Sequence, residues 1–310
     1  EYIKGRCYFE MRDLKNSKKH FTNAIKIYNQ VIHEIQELRK TNILAASQNE
    51  LSRIYYYENN LQKALEHADK GIQSYVNDGE RPNTRFYLYV NKAMYLEKLD
   101  KNEDALVCIE SLENTTKPEE QDIYQVSVKI IVHVRIKLSK ILYKLHLYNK
   151  AQVKAEEGLK IARANSLFSE IFTLQSILGD IYKGQANIKK AIYHYQTALE
   201  FKKYLDKNPE LIDVYLNLGE IYMNIDKQQA KRYLKKAVDL SKDYHELSIE
   251  SLNKLGIYYI NQKKYEKALR TFQKALDVKE TKETLYNICL IYKKQNKNIE
   301  LLQFAYKYFT

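Results

Sequence analysis

The chain is 310 residues long, 45% hydrophobic and 29% charged, the balance of an ordinary water-soluble globular protein. Eight glycines and three prolines are too few for a sheet-rich fold with many tight turns, and no uncharged apolar stretch reaches the length of a membrane span. The formal net charge of +12 invites anionic partners, but the lysines are spread along the chain rather than clustered, which reads as solvated faces rather than a nucleic-acid footprint.

The opening, "EYIKGRCYFE", shows neither an initiator methionine nor a signal-peptide pattern and reads as a chain entered mid-helix, so an upstream part is expected. The three cysteines, Cys7, Cys108 and Cys289, are isolated and odd in number. That argues against a disulfide framework and for a reducing, cytoplasmic setting.

An internal repeat runs through the chain. From Gly5 follow Tyr8, Ser17, Phe21 and Ala24; from Ser52, Tyr55, Ala64, Ala68 and Gly71. Ala93 is followed by Leu96, Ala105, Ile109 and Leu112, and Ser139 by Leu142, Ala151, Ala155 and Gly158. Gly179 gives Tyr182, Ala191, Tyr195 and Ala198; Gly219 gives Tyr222, Ala230 and Ala237, with the turn between them one residue shorter. Gly256 leads to Tyr259, Ala268, Phe272 and Ala275, and Cys289 to Tyr292, Leu301, Ala305 and Tyr308.

Each copy predicts a helix with a small residue and then Tyr or Leu, a polar turn, and a second helix carrying small, bulky and small residues. Small residues let antiparallel helices approach, and the bulky one fills the groove beside them. The pattern resembles the tetratricopeptide repeat over essentially the whole chain. It implies an all-α fold, a right-handed α-solenoid of about eight tetratricopeptide-like helix pairs, as one domain over 1–310. The anchors lie 47, 41, 46, 40, 40, 37 and 33 residues apart, mostly beyond the standard length of about 34. Segments such as "FTNAIKIYNQVIHEIQELRK" suggest that the excess goes into longer second helices.

No phosphate-binding glycine loop, Gly-x-Ser-x-Gly or His-Glu-x-x-His is present, and the seven histidines show no metal-ligand spacing. The chain reads as non-enzymatic, with no cofactor or metal. The "NTT" at Asn114 matches a glycosylation acceptor, which has no meaning in a cytoplasmic chain.

Asn217 stands two residues before Gly219, about 200° round the helix from it, on a polar stripe with Asp213, Glu220 and Asn224. Asn91 and Asn287 hold the equivalent position, and Asn49 and Asn253 lie one residue earlier. In a tetratricopeptide solenoid this face lines the concave groove. A carboxamide both donates and accepts, so it can hold a peptide backbone without demanding a particular side chain. On this reading Asn217→Ala weakens peptide binding with little loss of stability. Arg53 with Tyr56, and Lys137 with Lys140, add cation and aromatic character, while Asp213, Glu220 and Glu250 add negative charge further along, polarising the groove. Arg53 suits a peptide carboxylate or an intramolecular salt bridge.

The motifs "GRCYFEMRDLKNSKKHFTNA", "NELSRIYYYENNLQKALEHADKGI" and "LGDIYKGQANIKKAIYHYQTAL", with the long repeats and Lys/Asn/Ile/Tyr-rich composition, resemble the peptide-pheromone receptors of Gram-positive bacteria (Rap, NprR, PlcR and PrgX types). The chain looks most like an NprR-type receptor without its helix-turn-helix. The resemblance implies a short signalling peptide held in the concave groove at Asn49, Arg53, Asn91, Asn217, Asn253 and Asn287. It further implies a switch of oligomeric state, and DNA contact only through a missing N-terminal domain. A Rap-like inhibitor of a sporulation response regulator is one rival. A generic scaffold clamping a carboxylate through Arg53, Lys137 and Lys140 is the other. The final helix, "IELLQFAYKYF", is apolar on more than one face and predicts homo-oligomerisation through the C-terminal repeats. No membrane partner is expected.

Overall fold

The same turn recurs at the same place in nearly every repeat. Seven residues after each anchor the backbone enters the left-handed region, at Arg12, Asn59, Asp100, His146, Ala186, Lys263 and Asn296, with φ between 55° and 59°. Asparagine and aspartate tolerate that conformation; arginine, alanine and lysine adopt it at a cost that the packed helices on either side must offset. The Gly219 copy, one residue shorter, has no such position. Asp13, Asn60, Asn187 and Asp226 then cap the following helix by accepting from backbone N–H groups in its first turn.

The computed structural model describes residues 1–35, 38, 41–76, 83–115, 128–205 and 209–309. Among them are sixteen α-helices and no strand, in two compact units, Glu1–Glu170 and Ile171–Thr310. The first unit holds α1 (Tyr2–Glu10), α2 (Leu14–Val31), α3 (Ile43–Tyr57), α4 (Leu61–Ser74), α5 (Asn83–Lys98), α6 (Asn102–Thr115), α7 (Val128–Lys144) and α8 (Tyr148–Ala164). Helix α9 (Phe168–Gly184) begins just before the second unit. That unit continues with α10 (Ile188–Glu200), a 3₁₀ turn Lys202–Tyr204, α11 (Glu210–Tyr222), α12 (Lys227–Leu240), α13 (His245–Asn261), α14 (Tyr265–Val278), α15 (Lys282–Lys294) and α16 (Asn298–Phe309).

Within each unit odd and even helices pair as antiparallel hairpins, as α3 with α4 and α11 with α12 do, and second helices pack on the first helix of the next pair, as α2 on α3 and α12 on α13. Phe21 of α2 joins Leu51 and Ile54 of α3; Ala64 and Ala68 of α4 join Tyr95 of α5; Phe272 of α14 joins Ile288 and Ile291 of α15. The anchor glycines are packing devices. A Cβ on Gly179 would stand 2.5 Å from the Tyr195 ring, and one on Gly219 would stand 2.6 Å from Leu234 Cγ. Leu234 is fifteen residues past its anchor where Tyr195 is sixteen, so the shorter turn is absorbed in the register of α12.

Three repeats share a clip that sequence spacing had not exposed. Tyr8 stacks on His20, Tyr55 on His67 and Tyr182 on His194, with centroids 5.0–5.2 Å apart. Each histidine Nδ1 meets a side chain four residues before the anchor: Glu1 at 2.7 Å, Gln48 at 2.6 Å and Gln175 at 2.7 Å. Burial lowers the His67 pKa, which favours the neutral ring, and the tautomer protonated at Nδ1 can donate to the Gln48 side-chain carbonyl.

The expectation of longer second helices needs correction. Only α2 (18 residues) and α8 (17) are long; α4, α6, α12 and α14 have 14 residues, while the first helices α7, α9 and α13 have 17. Among the described residues part of the extra length lies in first helices. Part of "FTNAIKIYNQVIHEIQELRK", and Thr116 of the "NTT" pattern, lie outside the described residues.

Candidate functional site

In the first unit, α1, α3 and α5 line a cavity of about 990 Å³. Helix α3 is sandwiched tightly enough that 45–52 are all buried, which fixes the side chains it presents. From α1 come Tyr2, Ile3, Arg6, Cys7 and Glu10; from α3, Ala46, Asn49, Glu50 and Arg53; from α5, Asn83, Thr84, Tyr87 and Asn91. Asn91 Nδ2 donates to Asn49 Oδ1 at 2.9 Å, joining two repeats across the cavity wall. Whichever way the two carboxamides are turned, one bond between them leaves one donor group and one acceptor for a ligand. Asn83 Oδ1 is a buried acceptor with no partner among the described residues.

Arg53 donates to Glu50 at 2.7 Å, and its guanidinium lies 4.3 Å from the centroid of the Phe9 ring. The salt-bridge alternative for Arg53 is thus the one observed. Burial pushes the Glu50 carboxyl up, opposed by Arg53 and Arg6. Tyr56 stacks on Tyr95, centroids 5.3 Å apart, and helps cover the core rather than line the cavity.

The expected basic stripe on α7 is engaged within the unit. Lys137 and Lys144 each reach Glu97 at 2.7 Å. Burial would raise that carboxyl, but the two ammonium groups hold it below the usual carboxylate range. Lys140 lies half-buried on the same helix. Lys129, at 3.2 Å, and His133, at 3.6 Å, face the buried Glu170.

In the second unit Asn217 sits within a network. It donates to Asp180 at 3.1 Å and accepts from Lys183 at 2.9 Å. Asp180 also accepts from Tyr195 at 2.6 Å. Glu220 bridges Lys183 at 2.6 Å and Lys254 at 3.2 Å; burial works against its ionised form, yet the lysines keep its pKa low. Asn217 therefore ties one repeat to the previous one, where its helical position had suggested an outward face. Asn253 is fully buried and accepts from Thr284 at 2.9 Å; its Nδ2, like that of the buried Asn287, has no partner among the described residues. Asp213, Asn224 and Glu250 are exposed, Asn224 in the turn after α11. The charges expected to polarise a ligand, Arg53, Lys137 and Glu220, are each met by an opposite charge within their own unit.

Of the cavity lining only Asn49, Arg53 and Asn91 were found from sequence; the polar and aromatic residues missed include Tyr2, Arg6, Glu10, Glu50, Asn83, Thr84 and Tyr87. Arg6 and Glu10 adjoin the Gly5 anchor at helical spacing and were recoverable; Thr84 and Tyr87 were not, because the entry to α5 carries no repeat signal. No group of residues able to hold a metal, and no helix long and apolar enough to cross a membrane, occurs among the described residues.

Tetratricopeptide-repeat family models match residues 2–31 and 210–281. The TPR repeat-containing protein MJ1428 of Methanocaldococcus jannaschii is 26% identical over 233 residues, 70% of this chain and 37% of that protein. The match thus spans little more than a third of that relative's length. Among solved structures, the STAND protein with a tetratricopeptide repeat sensor, PH0952 of Pyrococcus horikoshii, aligns at TM-score 0.65 and 16% identity over 93% of this chain and 46% of that one. The apo form of RapI aligns at 0.64 and 15% over 89% and 95%. NprR in complex with its cognate peptide NprX aligns at 0.57 and 18% over 97% and 86%. These likenesses establish the fold, a tetratricopeptide-type α-solenoid.

Proposed function

We propose that this chain is a peptide receptor of the NprR kind. A short signalling peptide enters the cavity of α1, α3 and α5, and its binding switches self-association and the activity of a DNA-binding segment outside these residues. The observation that carries the reading is the Asn49–Asn91 bridge in a cavity of about 990 Å³, within reach of the upper range for ligand sites. A donor and an acceptor side by side match one peptide unit, and Tyr2 and Tyr87 offer apolar surface to its side chains. The solved NprR that carries NprX shows the same fold holding a peptide. The exposed Ile299, Leu302 and Tyr306 on one stripe of α16 supply a surface for self-association.

A scaffold that clamps a carboxylate through Arg53, Lys137 and Lys140 is supported less well, because Arg53 and Lys137 already face Glu50 and Glu97. The test is selection from a library of random short peptides on the whole chain, followed by calorimetry and sedimentation. Enriched peptides should bind an Asn49→Ala/Asn91→Ala variant at least about tenfold more weakly, the worth of one to two hydrogen bonds. Failure to enrich any peptide, or equal binding to the variant, would overturn the assignment.

A further inference from the structure

Helix α12 concentrates positive charge. Among its 14 residues it carries Lys227, Lys231, Arg232, Lys235 and Lys236. Counting 100° per residue, Lys231, Arg232, Lys235 and Lys236 fan across the half of the helix opposite Ala230, Tyr233, Leu234 and Ala237, its buried face, while Lys227 is exposed at the edge of that face in the first turn. Lys137, Lys144, Lys183 and Lys254 meet carboxylates; among the described residues none of the five has such a partner. The two acids at the ends of the helix are committed. Asp226 caps Gln228 N and Gln229 N, and Asp239 faces Lys242 at 3.4 Å.

Like charges four residues apart, as in 227/231, 231/235 and 232/236, destabilise a helix, and cations in its first turn oppose its dipole. The cluster is also held in place. Arg232 lies 5.4 Å from the Tyr233 ring and Lys236 lies 5.4 Å from the Tyr215 ring, and those buried rings stack on each other at 6.1 Å. The Lys236 pKa is lowered, first by burial and then by Arg232 and by Lys202 of the neighbouring 3₁₀ turn, so the positive charges crowd one another.

We propose that the solvent-facing side of α12 binds the phosphodiester backbone of nucleic acid through Lys227, Lys231, Arg232, Lys235 and Lys236, without reading base sequence. A protein partner fits less well. Protein interfaces are built round apolar anchors with charge depleted at their centre, and the exposed apolar residues here, Ile225 and Leu240, lie at or beyond the ends of the helix. Phosphates need only cations. This site is separate from the peptide cavity and does not depend on it.

The experiment is fluorescence anisotropy of the whole chain against a labelled mixed-sequence DNA duplex over a salt series. Five phosphate contacts predict a log–log salt slope of about −4.5. Lys231→Gln/Lys235→Gln, which keeps helix propensity, should weaken binding about tenfold or more near 0.1 M salt and flatten the slope by about 2. Lys15→Gln/Lys19→Gln on α2 removes the same net charge from another helix and should leave affinity within about twofold. Absence of binding at about 50 mM salt, equal losses in both variants, or preference for phosphatidylserine vesicles over the duplex would each overturn the proposal.

Discussion

Replacing Asn217 by alanine separates a ligand-facing asparagine from one that holds two repeats together. The carboxamide exchanges one bond with Asp180 and one with Lys183, both charged, and such bonds contribute about 1.5–3 kcal/mol each when their partners are left bare. Here the partners are not left bare. Asp180 keeps Tyr195, and Lys183 keeps Glu220, whose side chain is 42% exposed, so water can enter. The expected loss is therefore about 1–2 kcal/mol in total, a few degrees of Tm for a unit of this size. Urea denaturation of the wild type, Asn217→Ala, Lys183→Met and the double variant would measure both the loss and its origin. A coupling energy of at least about 0.5 kcal/mol between the two positions is expected. Unchanged stability in Asn217→Ala, or strict additivity in the cycle, would refute the network and return Asn217 to an outward-facing role.

Acidification supplies a second check. The folded-state pKa of His67 lies below 6.5 because of burial, so its contribution to stability is complete above about pH 6.5. That contribution is lost as pH falls through 6.5, where the unfolded chain takes up a proton that the folded chain resists. Urea midpoints should drop between about pH 7.5 and 5.5, less steeply in His67→Asn; a flat or rising curve, or an unchanged slope in the variant, would contradict the clip. Gly219→Ala adds a Cβ 2.6 Å from Leu234 Cγ. Overpacking of about 1–3 kcal/mol should exceed the helix gain of about 1 kcal/mol, for a net loss near 1 kcal/mol that shrinks when Leu234 is also alanine. A stabilised single variant would show that α12 yields freely.

The tetratricopeptide repeat was legible in the sequence because packing constrains residue size. Gly179 and Gly219 must be small where Tyr195 and Leu234 close in, so the anchors recur at fixed offsets whatever surrounds them. From that periodicity followed the helix pairs, the shortened turn of the Gly219 copy and the face on which Asn49 and Asn91 stand. Tertiary structure alone decided what those polar faces do. Charge and hydrogen bonding pair side chains some 30 to 50 residues apart, such as Asn49 with Asn91, Lys144 with Glu97 and Asn217 with Asp180, and one repeat's pattern gives no sign of which partner the next repeat supplies. The same distinction applies to cations. Lys137 and Lys231 are both lysines on amphipathic helices in the sequence, yet Lys137 meets the half-buried carboxylate of Glu97 and Lys231 meets none among the described residues, because only the stacking of helix upon helix determines which charges are neutralised and which remain for a partner.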